Sequence, residues 1–340
     1  MQKDNLLTIE NLHVQYNTDD AVVYALNGLN LTLKKGESLG LVGETGAGKT
    51  TTALSVLKLL PNRVGEISKG NITYDGIDII SANNTQMRAI RGARISMIFQ
   101  DPMSSLNPIM TVGDQVHEVL DLHFPEMSRS EKDNKVDEIF EMVGIQKRRK
   151  TEFPHQFSGG MKQRIGIAMA LVAEPELLLA DEPTTALDVT IQAQILELMR
   201  ELQDKFNTSM IFITHDLGVV AEFCENVAVV YAGEVIESGS VEDVFIRKRN
   251  HPYTNGLFGS IPDLTSTHSR LTPIPGFMPD PTDLPSGCKF ADRCQHCMDK
   301  CRREDPLMYS FESEKSDIPH KIKCFLFESA ESAKSNGGDK

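Results

Sequence analysis

The residues most able to do chemistry lie in a glycine-rich segment, residues 43–50, which reads GETGAGKT. Its glycines allow the backbone to curl so that N–H groups point inward at phosphate oxygens. Lys49 would place a positive charge on the β- and γ-phosphates of a nucleotide, and the Thr50 hydroxyl could bind Mg²⁺. Because the segment fits G-x-x-x-x-G-K-[ST] between an apolar strand and a helix, it predicts a triphosphate site and not an ordinary glycine turn. The residues expected to contact the nucleotide here are Gly43, Glu44, Thr45, Gly46, Ala47, Gly48, Lys49, Thr50 and Thr51.

An acidic pair follows a second apolar segment: Asp181 closes the run LLLAD, and Glu182 comes next. A carboxylate at the end of a buried parallel strand lies where open α/β sheets bind ligands. We expect Asp181 to hold Mg²⁺, directly or through water, and Glu182 to polarise the attacking water. The alternative is a solvated acidic pair that only caps the strand, and the phosphate-binding pattern upstream disfavours it.

A third candidate is the sequence Ser158-Gly159-Gly160, which begins the apolar-rich segment FSGGMKQRIGIAMAL. At the start of a helix, Ser158 offers a hydroxyl, and Gly159 and Gly160 leave their backbone N–H groups uncovered. Helix N-termini of this kind bind anions. The sequence therefore predicts a second phosphate-binding element.

Five of the six cysteines lie near the C-terminal end, at positions 288, 294, 297, 301 and 324. Four soft ligands suit either tetrahedral zinc or an iron–sulfur cluster. The pair Cys294-x-x-Cys297 alone is typical of half a zinc knuckle, whereas CQHCMDKC resembles part of a ferredoxin sequence without its leading Cys and trailing Pro. Since intracellular chains seldom keep disulfides, clustered thiols favour metal binding. The remaining cysteine, Cys224, is interpreted as a small buried apolar residue.

The elements that must position these groups are readable from hydrophobic periodicity. Short apolar or alternating segments predict strands at residues 6–16, 24–33, 37–43, 70–76, 95–101, 177–181 and 210–215. Helical spacing of apolar residues predicts helices at 51–61, 130–144 and 190–206, the first ended by Pro61. The segment 226–239 predicts a hairpin that turns at Ala232-Gly233. Buried strands that alternate with helices indicate an α/β fold with a mainly parallel sheet.

Length and composition restrict the class of protein. With 340 residues, of which 40% are hydrophobic, the chain is long enough for one large domain or two. The formal net charge of -13 argues against a nucleic-acid-binding protein. We recognise no signal peptide and no apolar segment long enough to cross a membrane, so we expect a cytoplasmic chain that meets membranes only through partners.

The composition changes after about residue 250. We therefore predict a nucleotide-binding domain at residues 1–250, with a helical subdomain at about 102–173, followed by a small, irregular, cysteine-bearing C-terminal extension at 251–330. The proline-rich segment 273–287 is a poor candidate for any regular core element. The polar tail 331–340 is expected to be disordered.

A chain with these two anion-binding elements resembles the nucleotide-binding subunits of ABC transporters. The resemblance covers about residues 5–250. Further motifs of that family match in order: Gln100 after a strand, Asp188 at the end of TTALD, His215 after MIFIT, and Tyr16 where an aromatic ring lies under adenine. Met161 departs from the Gln that commonly follows Ser-Gly-Gly, which need not abolish the ATP contact. Tyr16 and His215 could instead be ordinary strand residues, with Tyr24 the alternative stacking residue. The segments HPYTNGLFGSIP, PIPGFMPDPTDLPSGCKF and RC look like the extension of dipeptide and oligopeptide importers.

This resemblance implies an ABC-type ATPase fold that contains an antiparallel β subdomain and a helical subdomain. Two such subunits would close head to tail, with each ATP between one phosphate loop and the other subunit's Ser158, Gly159, Gly160 and Met161. Glu182 would activate water, His215 would contact the γ-phosphate, and Thr50, Gln100 and Asp181 would serve Mg²⁺. The implied partners are two membrane-spanning permease subunits, a second ATPase subunit and, indirectly, an extracytoplasmic substrate-binding protein. The chain would lie peripherally on the cytoplasmic face of the membrane.

The resemblance also bears on the cysteines and on the substrate. Relatives with this pattern look like [4Fe–4S] binders, which implies Cys288, Cys294, Cys301 and Cys324 as ligands and leaves Cys297 as an extra thiol. Zinc and free or disulfide-bonded thiols remain the alternatives. The function implied is ATP-driven import of di- and oligopeptides, with nickel import as the second candidate. A non-transport ABC ATPase is disfavoured because those proteins usually carry two nucleotide domains or a long coiled coil, and a redox regulator remains a third possibility.

Overall fold

The computed structural model describes residues 5–101, 105–185, 187–246, 249–260, 273–313 and 316–328. The chain divides into two compact units, each assembled from distant segments. The first comprises residues 1–6, 33–38 and 74–213, and the second comprises residues 7–32, 39–73 and 214–340. The tail predicted to be disordered, residues 331–340, lies outside the described residues.

The strands, in chain order, are β1 Asn5–Asn17, β2 Val22–Lys34, β3 Ser38–Val42, β4 Gly65–Tyr74, β5 Ile77–Asp78, β6 Ile95–Ile98, β7 Leu177–Asp181, β8 Ser209–Thr214, β9 Asn226–Tyr231, β10 Glu234–Ser240, β11 Tyr309–Phe311 and β12 His320–Ile322. The helices are α1 Lys49–Val56, α2 Asn84–Ile90, α3 Val112–His123, α4 Arg129–Met142, α5 Gly159–Leu171, α6 Val189–Phe206, α7 Leu217–Phe223, α8 Val241–Ile246, α9 Pro252–Gly259 and α10 Asp299–Arg303. Every predicted strand and helix has a counterpart among them.

The first unit is built on parallel strands. β7 pairs in parallel with β6 on one side and with β8 on the other, and every residue of β7 is buried. The LLLAD segment is therefore apolar because both of its faces are covered, which is the usual situation of a parallel strand. The predicted α/β fold is confirmed.

A group of helices in the first unit packs together between β6 and β7 in the chain. α3, α4 and α5 contact one another, and Val136, Ile139 and Phe140 form the buried face of α4. Ser128 and Glu131 make reciprocal capping bonds at its start. Gly144, with φ +73°, lies just beyond its end. These helices fall within the predicted subdomain 102–173, of which residues 102–104 lie outside the description.

The second unit contains a hairpin that continues into the C-terminal extension. β9 lies parallel to β3 and antiparallel to β10. The turn between them is at the predicted place, where Ala232 and Gly233 both have positive φ, as a tight hairpin turn of the favoured hand requires. β12 then pairs antiparallel with β10, and β11 pairs with β12. Residues 273–287 form no helix or strand, as their prolines predicted.

A buried carboxylate ties the extension to this hairpin. Glu237 on β10 is 0% exposed and accepts hydrogen bonds from Asn250 Nδ2 at 2.9 Å and from the backbone N–H of His251 at 2.8 Å. Its Oε1 also lies 2.7 Å from His320 Nε2 on β12. Because a buried charge is tolerated only when hydrogen-bonded, these contacts fix residues 250 and 320 against the strand.

The first predicted helix ends earlier than its proline suggested. α1 stops at Val56, and Lys58 adopts a left-handed φ of +52°. The N–H of Leu59 donates to the carbonyl of Leu54, and that of Lys58 donates to the carbonyl of Ser55. This is a Schellman ending, which satisfies the last carbonyl groups before Pro61 can influence the helix.

Candidate functional site

The predicted site residues are divided between the two units. Tyr16, the phosphate loop, His215 and the cysteines belong to the second unit, and Gln100, Ser158, Asp181, Glu182 and Asp188 belong to the first.

The phosphate loop joins the buried strand β3 to α1, as its motif requires. A Cβ atom on Gly43 would lie 2.2 Å from the carbonyl oxygen of Val230. One on Gly48 would lie 2.7 Å from the carbonyl oxygen of Ala25, and Gly48 also has a φ of +103°. Any larger residue at these two positions would push the loop out of its curl.

Lys49 is the first residue of α1 and folds back over the loop. Its Nζ donates to the carbonyl oxygen of Gly43 at 2.7 Å and to that of Glu44 at 3.0 Å, and its side chain is buried. The ammonium group thus lies against the loop backbone, near the positive end of the helix dipole. A positive charge beside curled backbone N–H groups is the environment that a triphosphate needs.

Tyr16 lies beside the helix that follows the phosphate loop. Its hydroxyl is 3.2 Å from Thr51 Oγ1, and its ring is partly exposed. The stacking of Tyr16 on the base of a bound nucleotide stays a prediction. Tyr24, the alternative, is also exposed.

His215 follows the buried strand β8 and is exposed. The next residue, Asp216, caps α7 by accepting from the N–H of Gly218 at 2.8 Å. Asp216 thus serves to cap a helix, whereas the imidazole of His215 lies on the surface.

Glu182 is the most constrained of the predicted catalytic residues. It follows Asp181, which is 2% exposed at the end of β7, and has a left-handed φ of +47°. Non-glycine residues seldom adopt this conformation, and it is concentrated at functional sites. Glu182 Oε2 accepts from Gln100 Nε2 and from Thr185 Oγ1, each at 3.0 Å. Two predicted residues, Gln100 and Glu182, are thus in direct contact.

The Ser-Gly-Gly segment forms the exposed N-terminus of α5. Ser158 caps the helix by accepting from the N–H of Met161 at 3.4 Å. The side chain of Met161 contacts Arg149, whose Nη1 lies 3.6 Å from the Met161 sulfur. Gly160 lies against Ile191 of α6, since a Cβ atom on this glycine would be 2.8 Å from Ile191 Cγ2.

Asp188 also caps a helix. Its Oδ1 accepts from the N–H of Ile191 at 2.9 Å at the start of α6. Its side chain is exposed, and Ala186 in the same motif lies outside the described residues. The nucleotide roles of Asp188 and of the Ser-Gly-Gly segment stay predictions.

The cysteines of the extension are free thiols, and four of them line one small cavity: Cys288, Cys294, Cys301 and Cys324. Cys297 is not among its lining residues, and the other walls are mainly apolar. Burial raises the pKa of Cys288 to about 12 and that of Cys324 to about 11. Within the described ranges, no group of three or more His, Cys, Asp or Glu side chains is arranged to hold a metal ion.

Two residues of the extension contact the phosphate loop, although neither their types nor their spacing in the sequence indicates such a role. Arg293 donates from Nη1 to Glu44 Oε2 at 2.6 Å and from Nη2 to Glu44 Oε1 at 3.0 Å. The hydroxyl of Tyr253 accepts from the N–H of Glu44 at 2.9 Å. The hydrogen bond to Glu44 raises the pKa of Arg293, which is therefore cationic. Tyr253 lies in the segment HPY and Arg293 in the segment RC. In the sequence, these two segments indicated only a resemblance to the extension of peptide importers.

Comparisons with known proteins agree with the two parts of this architecture. A family model described as ABC transporter matches residues 26–185, and one described as oligopeptide/dipeptide transporter, C-terminal region, matches residues 236–301. The dipeptide transport ATP-binding protein DppD of Bacillus subtilis (strain 168) is 48% identical over 325 residues, which cover 95% of each chain. The oligopeptide transport ATP-binding protein OppD of the same organism is 48% identical over 324 residues, covering 94% of this chain and 88% of its own.

Solved structures share the ATPase fold. CbiO1 from Clostridium perfringens, part of the ABC transporter complex cbiONQ, aligns with a TM-score of 0.63 and 32% identity over 72% of this chain and 92% of its own. The ATP-binding cassette MJ0796, in a dimeric post-hydrolysis state with ADP and Pi, aligns with a TM-score of 0.62 and 28% identity over 69% and 98%. In the described part of the chain, no helix is both long and apolar enough to cross a membrane. The chain therefore belongs to the ABC transporter family, among the ATP-binding proteins of dipeptide and oligopeptide transport.

Proposed function

We propose that this chain hydrolyses ATP to power the import of di- and oligopeptides through a membrane ABC transporter. The observation that carries this proposal is the combination, in one chain, of a lysine-bearing phosphate loop with a peptide-transporter C-terminal region. The relatives with nearly half of their residues identical are named for dipeptide and oligopeptide transport. The substrate class follows from them and from the extension, since the ATPase part alone is common to many transporters.

The chemical roles are assigned from the local geometry of each group. In the second unit, the phosphate loop would bind the triphosphate through backbone N–H groups and Lys49, with Tyr16 against the base. In the first unit, Glu182 would accept a proton from the attacking water, because its carboxylate is oriented by Gln100 and Thr185. Mg²⁺ would neutralise phosphate charge, and we assign Asp181, at the end of the buried strand β7, to serve it directly or through water.

The partners follow from the family and from the exposed groups. The N-terminus of α5, with Ser158 and Gly159 exposed, would face the nucleotide of a second ATPase subunit, which we infer to be a paralogue of this chain. Two permease subunits would receive the helical region that follows Gln100. The complex would hold this chain on the cytoplasmic face of the membrane, with a substrate-binding protein on the other side.

The four cavity-lining cysteines are proposed to hold a metal centre, with a [4Fe–4S] cluster favoured over zinc. The donor set fits, since four thiols surround one mainly apolar cavity. The cluster is preferred to zinc because the spacing of these four cysteines resembles that of [4Fe–4S]-binding relatives. Anaerobically purified protein should contain iron and sulfide in equal amounts and absorb at about 400 nm, as is typical of such clusters. Colourless protein with stoichiometric zinc would overturn this choice.

The transport proposal is tested in two steps. The purified full-length chain should bind Mg-ATP, and Lys49→Ala should weaken that binding by at least about tenfold, since it removes the charge of the phosphate loop. Cells that lack the chain should then lose uptake of labelled dipeptides and regain it with the wild-type gene, not with Lys49→Ala. Loss of nickel uptake with unchanged peptide uptake would refute the peptide assignment and support the nickel alternative.

A further inference from the structure

Two side chains of the C-terminal extension make hydrogen bonds to Glu44, the second residue of the phosphate loop. One bonds to its carboxylate and the other to its backbone N–H. Arg293 makes a two-pronged hydrogen bond to the carboxylate, at 2.6 Å and 3.0 Å. Tyr253 accepts the backbone N–H of Glu44 at 2.9 Å. Charge-assisted, two-pronged bonds are among the strongest and most directional in proteins. The loop is therefore clamped at a single residue by side chains more than 200 positions later in the chain.

Arg293 is itself held firmly. Its side chain is 5% exposed, and its Nε donates to the carbonyl oxygen of Pro275 at 2.9 Å. Its Nη1 is also 3.4 Å from the hydroxyl of Tyr231 on β9. The guanidinium carbon lies 5.8 Å from the ring centre of Tyr231 and 5.9 Å from that of Phe290. An arginine with these contacts has lost its rotamer freedom before it meets Glu44, so the contact adds little further ordering cost.

Tyr253 is equally fixed. It is 0% exposed, and its ring lies 4.7 Å from that of Tyr231 and 5.5 Å from that of Phe290. Its backbone N–H donates to His251 Nδ1 at 3.1 Å. The hydroxyl thus stands at a defined place and uses the N–H of Glu44. Arg293 and Tyr253 therefore both pack against the same two aromatic rings, those of Tyr231 and Phe290.

We infer that Arg293 and Tyr253 are positioning residues for the phosphate loop, so that the C-terminal extension takes part in ATP binding. The inference rests on the proposed ATPase function. The two residues would keep the loop in its binding shape before the nucleotide arrives, which lowers the ordering cost of binding. Arg293 also neutralises a carboxylate that would otherwise stand unpaired in a loop built for a triphosphate, where like charges repel.

The test is the affinity of the full-length chain for a non-hydrolysable Mg-ATP analogue, measured by equilibrium dialysis, together with the melting temperature. Arg293→Gln should raise the Kd about tenfold. Arg302→Gln is the matched control, because it removes an ion pair to Asp292 in the same extension, at 2.6 Å and on the surface. That control should leave the Kd within about twofold, as expected of an exposed pair.

A double-mutant cycle separates positioning from a general loss of structure. If Arg293 acts through Glu44, the variant Glu44→Gln/Arg293→Gln should bind no more weakly than the worse single variant. In the reconstituted transporter, Arg293→Gln should raise KM for ATP by a larger factor than it lowers kcat, since loop order affects binding before chemistry. Effects on Kd that multiply would overturn the inference, as would a Kd within twofold of wild type.

A further variant keeps the test decisive if Arg293→Gln does not fold. Arg293→Lys retains the charge but cannot make the two-pronged bond, and we expect its Kd to rise about threefold. An unchanged Kd in folded Arg293→Lys, or an equal loss in Arg302→Gln, would overturn the inference. If the wild-type chain itself failed to bind the analogue, the proposed ATPase function would fall with it. If the wild-type chain binds the analogue and Lys49→Ala does not, the proposed ATPase function stands. An unchanged Kd in the Arg293 variants would then refute only the role of the extension.

Discussion

Replacing Glu182 by Gln should nearly abolish ATP hydrolysis and leave the fold intact. Glutamine has the same shape as glutamate and can keep the left-handed backbone at this position, since the φ of +47° belongs to the main chain. What it loses is the negative charge and the ability to take a proton from water. The change therefore isolates the chemical role of the carboxylate from its structural role.

The expected losses of hydrolysis rate and of stability follow from the role and the contacts of Glu182. A positioned general base contributes about 10²- to 10⁴-fold to a rate, or about 3 to 5 kcal/mol of activation free energy. The loss of stability is smaller. The two hydrogen bonds, from Gln100 and Thr185, become neutral ones, each weaker by about 1 kcal/mol at most. Because Glu182 is partly exposed, solvent screening reduces this further, and the free energy of unfolding should fall by about 1 kcal/mol.

The assay is phosphate release at saturating Mg-ATP in the reconstituted transporter, followed by size-exclusion chromatography with labelled ATP. Glu182→Gln should retain ATP in a closed ATPase dimer. Thr185→Ala should lower the rate of hydrolysis by less than about tenfold, because the carboxylate of Glu182 is still present in that variant. Hydrolysis by Glu182→Gln within about threefold of the wild-type rate would refute the assignment of Glu182 as the base.

Other predictions concern the loop, the extension and the cysteines. Gly48→Ala should prevent ATP binding in a dialysis assay, because its Cβ would lie 2.7 Å from a carbonyl oxygen, and normal affinity would contradict the proposed strain. Glu237→Ala should lower the free energy of unfolding in urea by about 3 to 5 kcal/mol, since it strands buried donors, and a loss below about 1 kcal/mol would contradict this. Cys301→Ser should reduce bound iron strongly while Cys297→Ser keeps it, and equal losses would contradict the proposed ligand set.

Much of the fold could be predicted because its signals are local. The buried stripe of α4 and the turn at Ala232-Gly233 each depend on residues close together in the chain, and the structure confirms both. The phosphate loop is similar, since its glycines, lysine and threonine form one contiguous motif. Comparison with relatives then confirmed the family to which these motifs point.

The remaining features depend on contacts that no periodicity encodes. Lys58, two residues after the end of α1, has a left-handed conformation that is unusual for lysine and that no sequence signal indicates. Glu44 and Arg293 meet across 249 positions, and neither residue type in isolation indicates a partner. The strands β11 and β12 have three residues each, too few to show alternation. The extension therefore looked irregular although part of it joins a sheet.

The pairing of β12 with β10 has a consequence for how the ATPase can be handled in isolation. β10 is an inner strand only because β12 covers it, and the outermost strand, β11, is short. A fragment that stopped near residue 250 would leave β10 without its partner strand around Glu237 and Ser238, and unpaired strand edges tend to pair with another copy. We therefore expect such a fragment to aggregate more readily than the full chain, even if its nucleotide-binding loop is intact.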